Sequence, residues 1–145
     1  MFDDYLITTD QQQMDFTTIY GFLSQSYWAK GIPEDTLRKA IRNSLCFAVL
    51  TKEKNLIGFA RIISDFATFA YLADVFVLDA YRGKGISKWL MQTIQAHPDL
   101  QGLRRAMLAT ADAHGLYQQY GFTPLEKPER FMERHFPNIY QQSNG

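Results

Sequence analysis

The stretch of sequence that decides the fold runs from residue 70 to residue 90 and reads AYLADVFVLDAYRGKGISKWL. Residues 70–78 are apolar at almost every position, which predicts a strand that is covered on both faces. A loop with two glycines follows at residues 79–85, and apolar residues then recur at helical spacing from Ile86 onward. A strand, a loop and a helix in this order predict an α/β domain.

The rest of the chain adds further strands and helices. Short β-branched and aromatic stretches predict strands, and apolar residues three or four apart predict helices, the first of which runs to Tyr27. The predicted strands are 5–9, 46–51, 56–63, 70–78, 105–110 and 122–125, and the predicted helices begin near residues 16, 33, 86 and 115. Residues 105–110 are expected to be buried. Because a polar hairpin joins 46–51 to 56–63, we expect a largely antiparallel, twisted central sheet.

Composition excludes several classes of protein. The chain has 145 residues, 46% of them hydrophobic, and is therefore expected to form one globular domain over residues 1–145. Its 15 basic and 15 acidic residues leave no net charge, whereas a dedicated nucleic-acid or membrane-surface protein usually carries a basic excess. We therefore expect neither nucleic acid nor a membrane as a partner.

Cysteine and histidine usage limits the chemistry further. A single cysteine, Cys46, excludes an intramolecular disulfide and a cysteine-based zinc site, and its apolar neighbours predict a buried position. His97, His114 and His135 lack the spacing of metal ligands, so no metal is expected. The N-terminus lacks a signal-peptide pattern and no apolar run is long enough to span a membrane, which favours a cytoplasmic protein.

The loop RGKGIS, residues 82–87, is the candidate anion site. Its small residues let backbone N–H groups converge, and the helix that follows presents unsatisfied amides and the positive end of its dipole. Arg82, Lys84 and Lys88 add mobile positive charge, so the segment is suited to a phosphate or pyrophosphate. A P-loop pattern is absent, and a dinucleotide fingerprint would need glycine in place of Lys88. The alternative is a glycine turn with solvated charges.

Two blocks of the sequence resemble the GNAT-type N-acetyltransferases, which transfer acetyl from acetyl-CoA to an amine. RGKGIS (residues 82–87) is similar to the family's Arg/Gln-x-x-Gly-x-Gly/Ala loop, with serine in the last small position. LYQQYGF (residues 116–122) is similar to the family's Leu-Tyr-x-x-x-Gly-Phe block. The blocks stand in the family's order, and the resemblance covers essentially the whole chain. Residues 69–77 and 112–117 also look like a set of small bacterial GNAT proteins without an assigned substrate.

The resemblance implies the GNAT fold, a sheet of about six to seven strands flanked by about four helices. It also implies acetyl-CoA as acetyl donor, with the pyrophosphate in the glycine loop. Backbone N–H groups at a bulge of the central strand would bind the carbonyl oxygen and the pantetheine arm. Thr110 stands at about the position where the family often has a cofactor-binding asparagine. The implied cofactor-binding residues are Phe76, Val77, Arg82, Gly83, Lys84, Gly85, Ile86, Ser87 and Thr110.

Tyr117 is the candidate acid that protonates the departing thiolate, the role commonly given to the matching tyrosine of the resembled family. An unperturbed tyrosine has a pKa of about 10 and therefore carries its proton at neutral pH. The alternative is a tyrosine whose ring packs beneath the cofactor. Tyr120, three residues further along, is the weaker candidate.

Asp74 is the candidate base, because a carboxylate inside an apolar strand gains basicity from burial. The alternative is a structural acceptor of hydrogen bonds from Arg61 or the backbone. His114, Asp112 and a chain of water molecules are further candidates for the proton acceptor.

The acceptor pocket is expected between the first two helices and the strand ends. Tyr27, Trp28 and Tyr71 would supply aromatic walls, with Phe69 beside them and Asp65 to hold a cation; the alternative is that these aromatic residues belong to the core. The C-terminal run 128–136 could close over the site, pack at a dimer interface or cover the sheet edge.

The sequence thus predicts an acetyl-CoA-dependent N-acetyltransferase that acts on a primary amine of a small molecule. Transfer is expected to be direct, in a ternary complex, because Cys46 lies in a predicted core strand far along the chain from the glycine loop. Two alternatives stay open: a non-catalytic acyl-CoA-binding regulatory module, and a protein or peptide N-acetyltransferase. A homodimer is also left open.

Overall fold

A five-stranded sheet forms the centre of the part of the chain that the structure describes. The structure is a computed structural model, and it describes residues 2–144. The strands are β1 (Tyr5–Thr8), β2 (Leu45–Thr51), β3 (Leu56–Ser64), β4 (Phe69–Val77) and β5 (Arg105–Leu108). They lie in the order β1-β2-β3-β4-β5, and each pair is antiparallel except β4 and β5, which are parallel. The predicted α/β domain with a largely antiparallel sheet is confirmed.

Helices cover both faces of this sheet. Within the described residues the α-helices are α1 (Phe16–Leu23), α2 (Glu34–Arg42), α3 (Ile86–Ala96) and α4 (His114–Gln118). Side chains of β2 alternate between two cores, as the pleat of a strand requires. Cys46, Ala48 and Leu50 pack with α1 and α2, whereas Phe47 and Val49 pack with α3. Among residues 2–144, no helix has the length and apolar character needed to cross a membrane.

Local sequence signals set the helix ends. The carboxylate of Asp15 accepts a hydrogen bond from the N–H of Thr17 at 3.0 Å and so caps α1. After α4, Gly121 has a φ of +89°, and the N–H of Phe122 donates to the carbonyl of Tyr117 at 3.2 Å. A second bond, from Gly121 N–H to the carbonyl of Gln118, completes a Schellman motif. This motif fixes the C-terminal end of α4, the short helix that carries Tyr117.

The predictions for the last two strands are wrong in part. Residues 122–125 are irregular, since Pro124 has no N–H to donate to a neighbouring strand. The predicted strand 105–110 ends at Leu108, and it is not buried: Arg105 and Ala106 are exposed because β5 is the edge strand of the described sheet. The described chain therefore has five strands and not the six to seven that the resemblance implied.

An irregularity in β4 shapes the centre of the sheet. Arg61 faces Ala73 and Phe59 faces Phe76, so one extra residue of β4 lies opposite Ala60. Asp74 stands at this bulge with a φ of +56°, in the left-handed region that few residues other than glycine adopt. The resemblance implied a bulge around Phe76 and Val77, and the structure places it at Asp74, slightly earlier along β4.

The two parallel strands separate close to the bulge. β4 and β5 pair from Phe69 opposite Arg105 to Leu72 opposite Leu108. Beyond Leu72, β4 continues to Val77 along β3, while the chain after β5 turns towards α4. A gap therefore opens between the C-terminal ends of the two strands, where ligands bind in many open α/β sheets.

An ion pair fastens the bulge to its surroundings. Arg61 Nε donates to Asp74 Oδ2 at 2.7 Å, and these side chains are only 16% and 8% exposed. Trp28, in the loop between α1 and α2, donates its indole N–H to Asp74 Oδ1 at 2.8 Å. Arg61 Nη1 also donates to Ser44 Oγ at 3.2 Å. The carboxylate of Asp74 thus ties the α1–α2 loop to the sheet.

We expect Asp74→Ala to lower the free energy of unfolding by about 3 kcal/mol, because it leaves the Arg61 guanidinium in a largely buried position without its partner. Trp28→Phe keeps an aromatic ring and removes only the indole donor, so we expect a smaller loss, about 1 kcal/mol. Urea denaturation followed by circular dichroism measures both. Equal losses in the two variants would contradict a stabilising role for the ion pair.

Candidate active site

A cleft of about 810 Å³ occupies the gap between β4 and β5. Its floor is β4 from Tyr71 to Phe76, and residues 108–112 form one wall together with Tyr117. The opposite wall comes from α1, α2 and the loop between them. The residues of that wall are Phe22, Tyr27, Trp28, Ala29, Ile32, Thr36, Leu37 and Ala40.

Tyr117 is the buried phenol of this cleft. Its side chain lies between α4 and the sheet, 8% exposed, with its ring edge-on to Phe122 at a centroid distance of 6.0 Å. Burial raises the pKa of the Tyr117 phenol, and the nearby negative charge of Asp112 and the phenol of Tyr27 raise it further. The hydroxyl therefore keeps its proton at neutral pH and can donate it to a group in the cleft.

Tyr120 lies outside the cleft. Its hydroxyl donates to the backbone carbonyl of Lys88 at 3.1 Å, and its own carbonyl accepts a bond from Gln95 Nε2 at 2.7 Å. These bonds join the turn after α4 to α3. Of the two tyrosines in the second sequence block, the geometry places only Tyr117 where a reacting group could meet it.

The glycine loop follows β4 after a short 3-10 turn at Asp79–Tyr81. Gly83 and Gly85 have φ values of +80° and +81°, which residues with a Cβ adopt only under strain. Because α3 begins at Ile86, the first amides of that helix have no intrahelical partner. They border a second cavity of about 170 Å³, lined by Val77, Tyr81, Arg82, Gly83, Gly85, Ile86, Ser87, Lys88 and Leu116. Ile86 itself is buried in the core, while Lys84 and Lys88 are exposed.

Arg82 connects the loop to the strand. Its Nε donates to the carbonyl of Val77 at 2.9 Å, and its Nη1 pairs with Asp79 at 2.7 Å. The sequence predicted mobile positive charge here, and the structure shows a guanidinium that braces the loop. Arg82 lines both cavities, so the cavity at the glycine loop and the large cleft lie next to each other.

The remaining predicted cofactor residues lie on the two strands that separate. Phe76 lies on the cleft floor with its ring stacked on Phe22 at 4.1 Å, and Val77 lies at the glycine-loop end. Thr110 lies on the wall that residues 108–112 form, and its hydroxyl already accepts a bond from the N–H of Ala113 at 3.1 Å. The Thr110 side chain thus organises the turn into α4.

Three aromatic residues that the sequence assigned to the acceptor pocket border the cleft. Tyr27, Trp28 and Tyr71 all border it. Tyr27 does not continue α1, which ends at Leu23; it lies in the following loop and is 67% exposed. Its ring is edge-on to that of Trp28 at 5.0 Å.

Asp65 and Phe69 lie outside the cleft. The carboxylate of Asp65 accepts bonds from the N–H groups of Ala67, Thr68 and Phe69 and from the Thr68 hydroxyl, at 2.6 to 3.2 Å. These bonds hold the pKa of the Asp65 carboxyl well below its usual range. Asp65 therefore shapes the β3–β4 hairpin, and the prediction that it holds a cation in the pocket is wrong.

The candidate proton acceptors differ in their hydrogen bonds and in whether they border the cleft. Both carboxylate oxygens of Asp74 already accept a hydrogen bond, from Arg61 and from Trp28, which is the environment of a structural anion. His114 is exposed at the start of α4 and does not border the cleft, whereas Asp112 does.

Sequence reasoning missed part of the site. Tyr140 packs against the core of α1 and α2 and lines the cleft, as does His135 from the C-terminal run. Within the run 128–136, His135 borders the cleft, whereas the ring of Phe131 lies 4.7 Å from the guanidinium of Arg105 on the edge strand β5. Nothing in the local pattern around Tyr140 pointed to the cleft, because its position depends on the path of the whole C-terminal segment.

Cys46 takes no part in the cleft. It is 1% exposed in the core of α1 and α2, and burial, as the largest cause, raises the pKa of its thiol to about 12. A thiol in that state is a poor nucleophile at neutral pH.

Comparison with known proteins places this geometry in a family. The profile of the acetyltransferase (GNAT) domain matches residues 43–124. A Gibberella zeae protein named "Putative acetyltransferase FG08082" is 34% identical, over 79% of this chain and 76% of its own. The crystal structure of a "putative acetyltransferase belonging to the gnat family" from Xanthomonas campestris pv. campestris is 52% identical, with a TM-score of 0.93 over 95% of this chain and 97% of that one.

A more distant structure shares the fold. The "predicted acetyltransferase with acetyl-CoA" from Clostridium acetobutylicum is 14% identical, with a TM-score of 0.64 over 90% of this chain and 94% of that one. The match of the domain profile over more than half of the chain, together with the glycine loop and the cleft between β4 and β5, shows that this chain belongs to the GNAT family of acetyltransferases.

Proposed function

We propose that this acetyltransferase uses acetyl-CoA to acetylate a primary amine of a small molecule, by direct attack in a ternary complex formed in one domain. The observation that carries the proposal is the placement of the Tyr117 phenol, with a raised pKa, in a cleft that shares Arg82 with the cavity at the glycine loop. The loop would hold the diphosphate end of acetyl-CoA, and the cleft would hold its thioester end beside Tyr117.

The residues of the glycine loop fit a pyrophosphate. The positive φ values of Gly83 and Gly85 keep the loop free of side-chain bulk, and the amides that open α3 supply donors and a positive dipole end. Ser87 adds a hydroxyl, and Lys84 and Lys88 add charge at the rim. Along the cleft, the edge of β4 beyond Leu72 has no strand partner on its β5 side among the described residues, so its backbone groups are free for the pantetheine amides.

Acetyl-CoA supplies the acetyl group as a thioester. The amine nitrogen forms its bond to the carbonyl carbon as the carbon–sulfur bond breaks, and Tyr117 donates its proton to the departing sulfur. The proton that the nitrogen releases when it becomes an amide returns through water to Tyr117, which restores the phenol. Backbone N–H groups of β4 around Phe76 and Val77 would stabilise the charge that develops on the carbonyl oxygen.

Asp74 takes a positioning role in this proposal. Its carboxylate holds the Trp28 side of the acceptor pocket against the bulge, and both of its oxygens are already engaged. The amine therefore loses its proton to water in the cleft. An acetyl-cysteine intermediate is not used, because Cys46 is buried away from the cleft.

Two copies of the chain are proposed to pair through the C-terminal segment. Large apolar side chains of this segment are exposed, including Phe131, Phe136 and Met132, the last 98% exposed, and Phe131 lies against Arg105 of the edge strand β5. Acidic and basic residues alternate along 126–134, and none of them forms an ion pair within the described residues. A segment with balanced charges can complement itself across a two-fold axis.

We expect Tyr117→Phe to lower kcat about 100-fold, because the departing thiolate loses its proton donor. The Kd for acetyl-CoA should stay within about twofold, since the ring and the loop are kept. Tyr120→Phe is the matched control and should leave kcat nearly unchanged. Because the Tyr117 pKa lies above its usual value, the proton donor should not be lost below about pH 10 in a kcat profile. Full turnover in Tyr117→Phe would remove Tyr117 as the acid.

We expect Gly85→Glu to abolish acetyl-CoA binding measured by calorimetry, since a carboxylate in the loop repels the pyrophosphate. Gly102→Glu controls for backbone strain and for charge: Gly102 also has a positive φ, +72°, and a Cβ there would meet nothing within 4 Å. Loss of binding in both variants would point to strain. No binding by the folded parent chain would contradict the proposed function.

We expect Met132→Glu to shift the chain from dimer to monomer in sedimentation at micromolar concentration, because a charge replaces an apolar contact in the interface. Lys52→Glu, at the distant β2–β3 hairpin, is the control. A monomeric parent chain would contradict the pairing.

A further inference from the structure

We propose, on the basis of the acetyltransferase function above, that the acceptor is a small monoamine with an apolar or aromatic body and no anionic group. Its ammonium group would bind near Asp112, and its body would lie against Tyr27 and Trp28. The amine then loses a proton to water before it attacks.

The charges that line the cleft point to a cationic acceptor. Arg61 is paired with Asp74, and Arg82 with Asp79, each at 2.7 Å. Asp112 forms no ion pair within the described residues, and its carboxylate accepts no hydrogen bond from them. Of the two carboxylates that line the cleft, the one without a partner among the described residues is therefore that of Asp112, whereas the Arg61 guanidinium is buried against Asp74 and Arg82 stands at the glycine-loop end in a largely exposed pair with Asp79.

Asp112 also lies close to the reacting end of the cleft. Burial is the largest cause of the raised pKa of the Tyr117 phenol, and the negative charge of Asp112 is the second. Tyr27, on the opposite wall, raises this pKa further. An amine held by Asp112 would thus stand beside the group that protonates the departing sulfur. Close placement of this kind is what direct transfer in a ternary complex requires.

The wall opposite Asp112 is apolar and open. Trp28 is 42% exposed, and its indole N–H is already donated to Asp74, so it presents its ring to the cleft. Tyr27 stands edge-on to it, and Phe22 stacks on Phe76 behind them. Aromatic faces attract both a cation and an apolar body.

The size of the acceptor is limited by the C-terminal segment. Tyr140 packs against the core of α1 and α2, and its carbonyl lies 3.3 Å from the position of a Cβ on Gly31. Together with His135 it borders the cleft at the side of the α1–α2 loop. A compact molecule fits this arrangement better than an extended polypeptide.

A matched set of acceptors tests the inference. With the full chain and saturating acetyl-CoA, acetyl transfer is measured for 2-phenylethylamine and for phenylalanine, which adds a carboxylate to the same skeleton. We expect kcat/KM to be at least about tenfold higher for 2-phenylethylamine, because the carboxylate meets Asp112 without a compensating cation. Glucosamine 6-phosphate and a lysine-containing peptide complete the panel and should be poorer acceptors still.

Asp112→Asn tests the role of the carboxylate. We expect the KM for 2-phenylethylamine to rise about tenfold with little change in kcat, and the discrimination against phenylalanine to shrink. Glu53→Gln, which removes an exposed carboxylate at the β2–β3 hairpin, is the control and should change neither value. If Asp112 had only a structural role, Asp112→Asn would not alter the ratio of kcat/KM for 2-phenylethylamine to kcat/KM for phenylalanine.

The outcomes separate this inference from the proposed function. Better transfer to phenylalanine, glucosamine 6-phosphate or the peptide than to 2-phenylethylamine would overturn the inference and leave the acetyltransferase function standing. An unchanged KM for 2-phenylethylamine in Asp112→Asn would also overturn the inference. Absence of transfer to every acceptor, in a chain that binds acetyl-CoA, would contradict the proposed function itself and favour a binding module.

Discussion

The ion pair between Arg61 and Asp74 is the interaction on which the site depends. Asp74 occupies a left-handed backbone position at the bulge of β4, and such a position persists only where neighbouring groups hold it. Arg61 holds it from β3, and Trp28 holds it from the α1–α2 loop. The same carboxylate therefore joins the bulge of the central strand to the cleft wall that carries Trp28, which gives a charged residue a role inside an otherwise apolar strand.

The separation of β4 from β5 then creates the room for chemistry. Pairing ends at Leu72, and the next residues of β4 border a cleft instead of another strand. A strand edge inside a cleft offers unpaired backbone groups that a linear ligand can use, and the glycine loop at the end of β4 offers amides for an anion. Both features come from backbone geometry, so the protein needs little net charge to bind a highly charged donor. Its balanced composition is consistent with this local design.

Sequence reasoning predicted the features that depend on neighbouring residues. Gly83 and Gly85 indicated the loop because positive φ values favour glycine, Asp15 indicated the start of α1 because its side chain reaches Thr17, and Gly121 indicated the end of α4. The same reasoning was wrong where distant contacts decide. Residues 122–125 have the composition of a strand, yet no described neighbour pairs with them. Asp65 is a different case, because its partners are local: three of the four residues that follow it, Ala67, Thr68 and Phe69, donate hydrogen bonds to its carboxylate.

By itself, the amino-acid sequence determined the α/β class, the strand–loop–helix unit at residues 70–90 and the family, because these follow from periodicity, glycine conformation and short motifs. Only the tertiary structure decided which carboxylates face the cleft, that Asp74 is engaged by Arg61 and Trp28, and that Tyr140 and His135 border the pocket. The reason is that the cleft is assembled from residues far apart along the chain, from Phe22 to Tyr140, and the distances among them depend on how the two cores pack against the sheet.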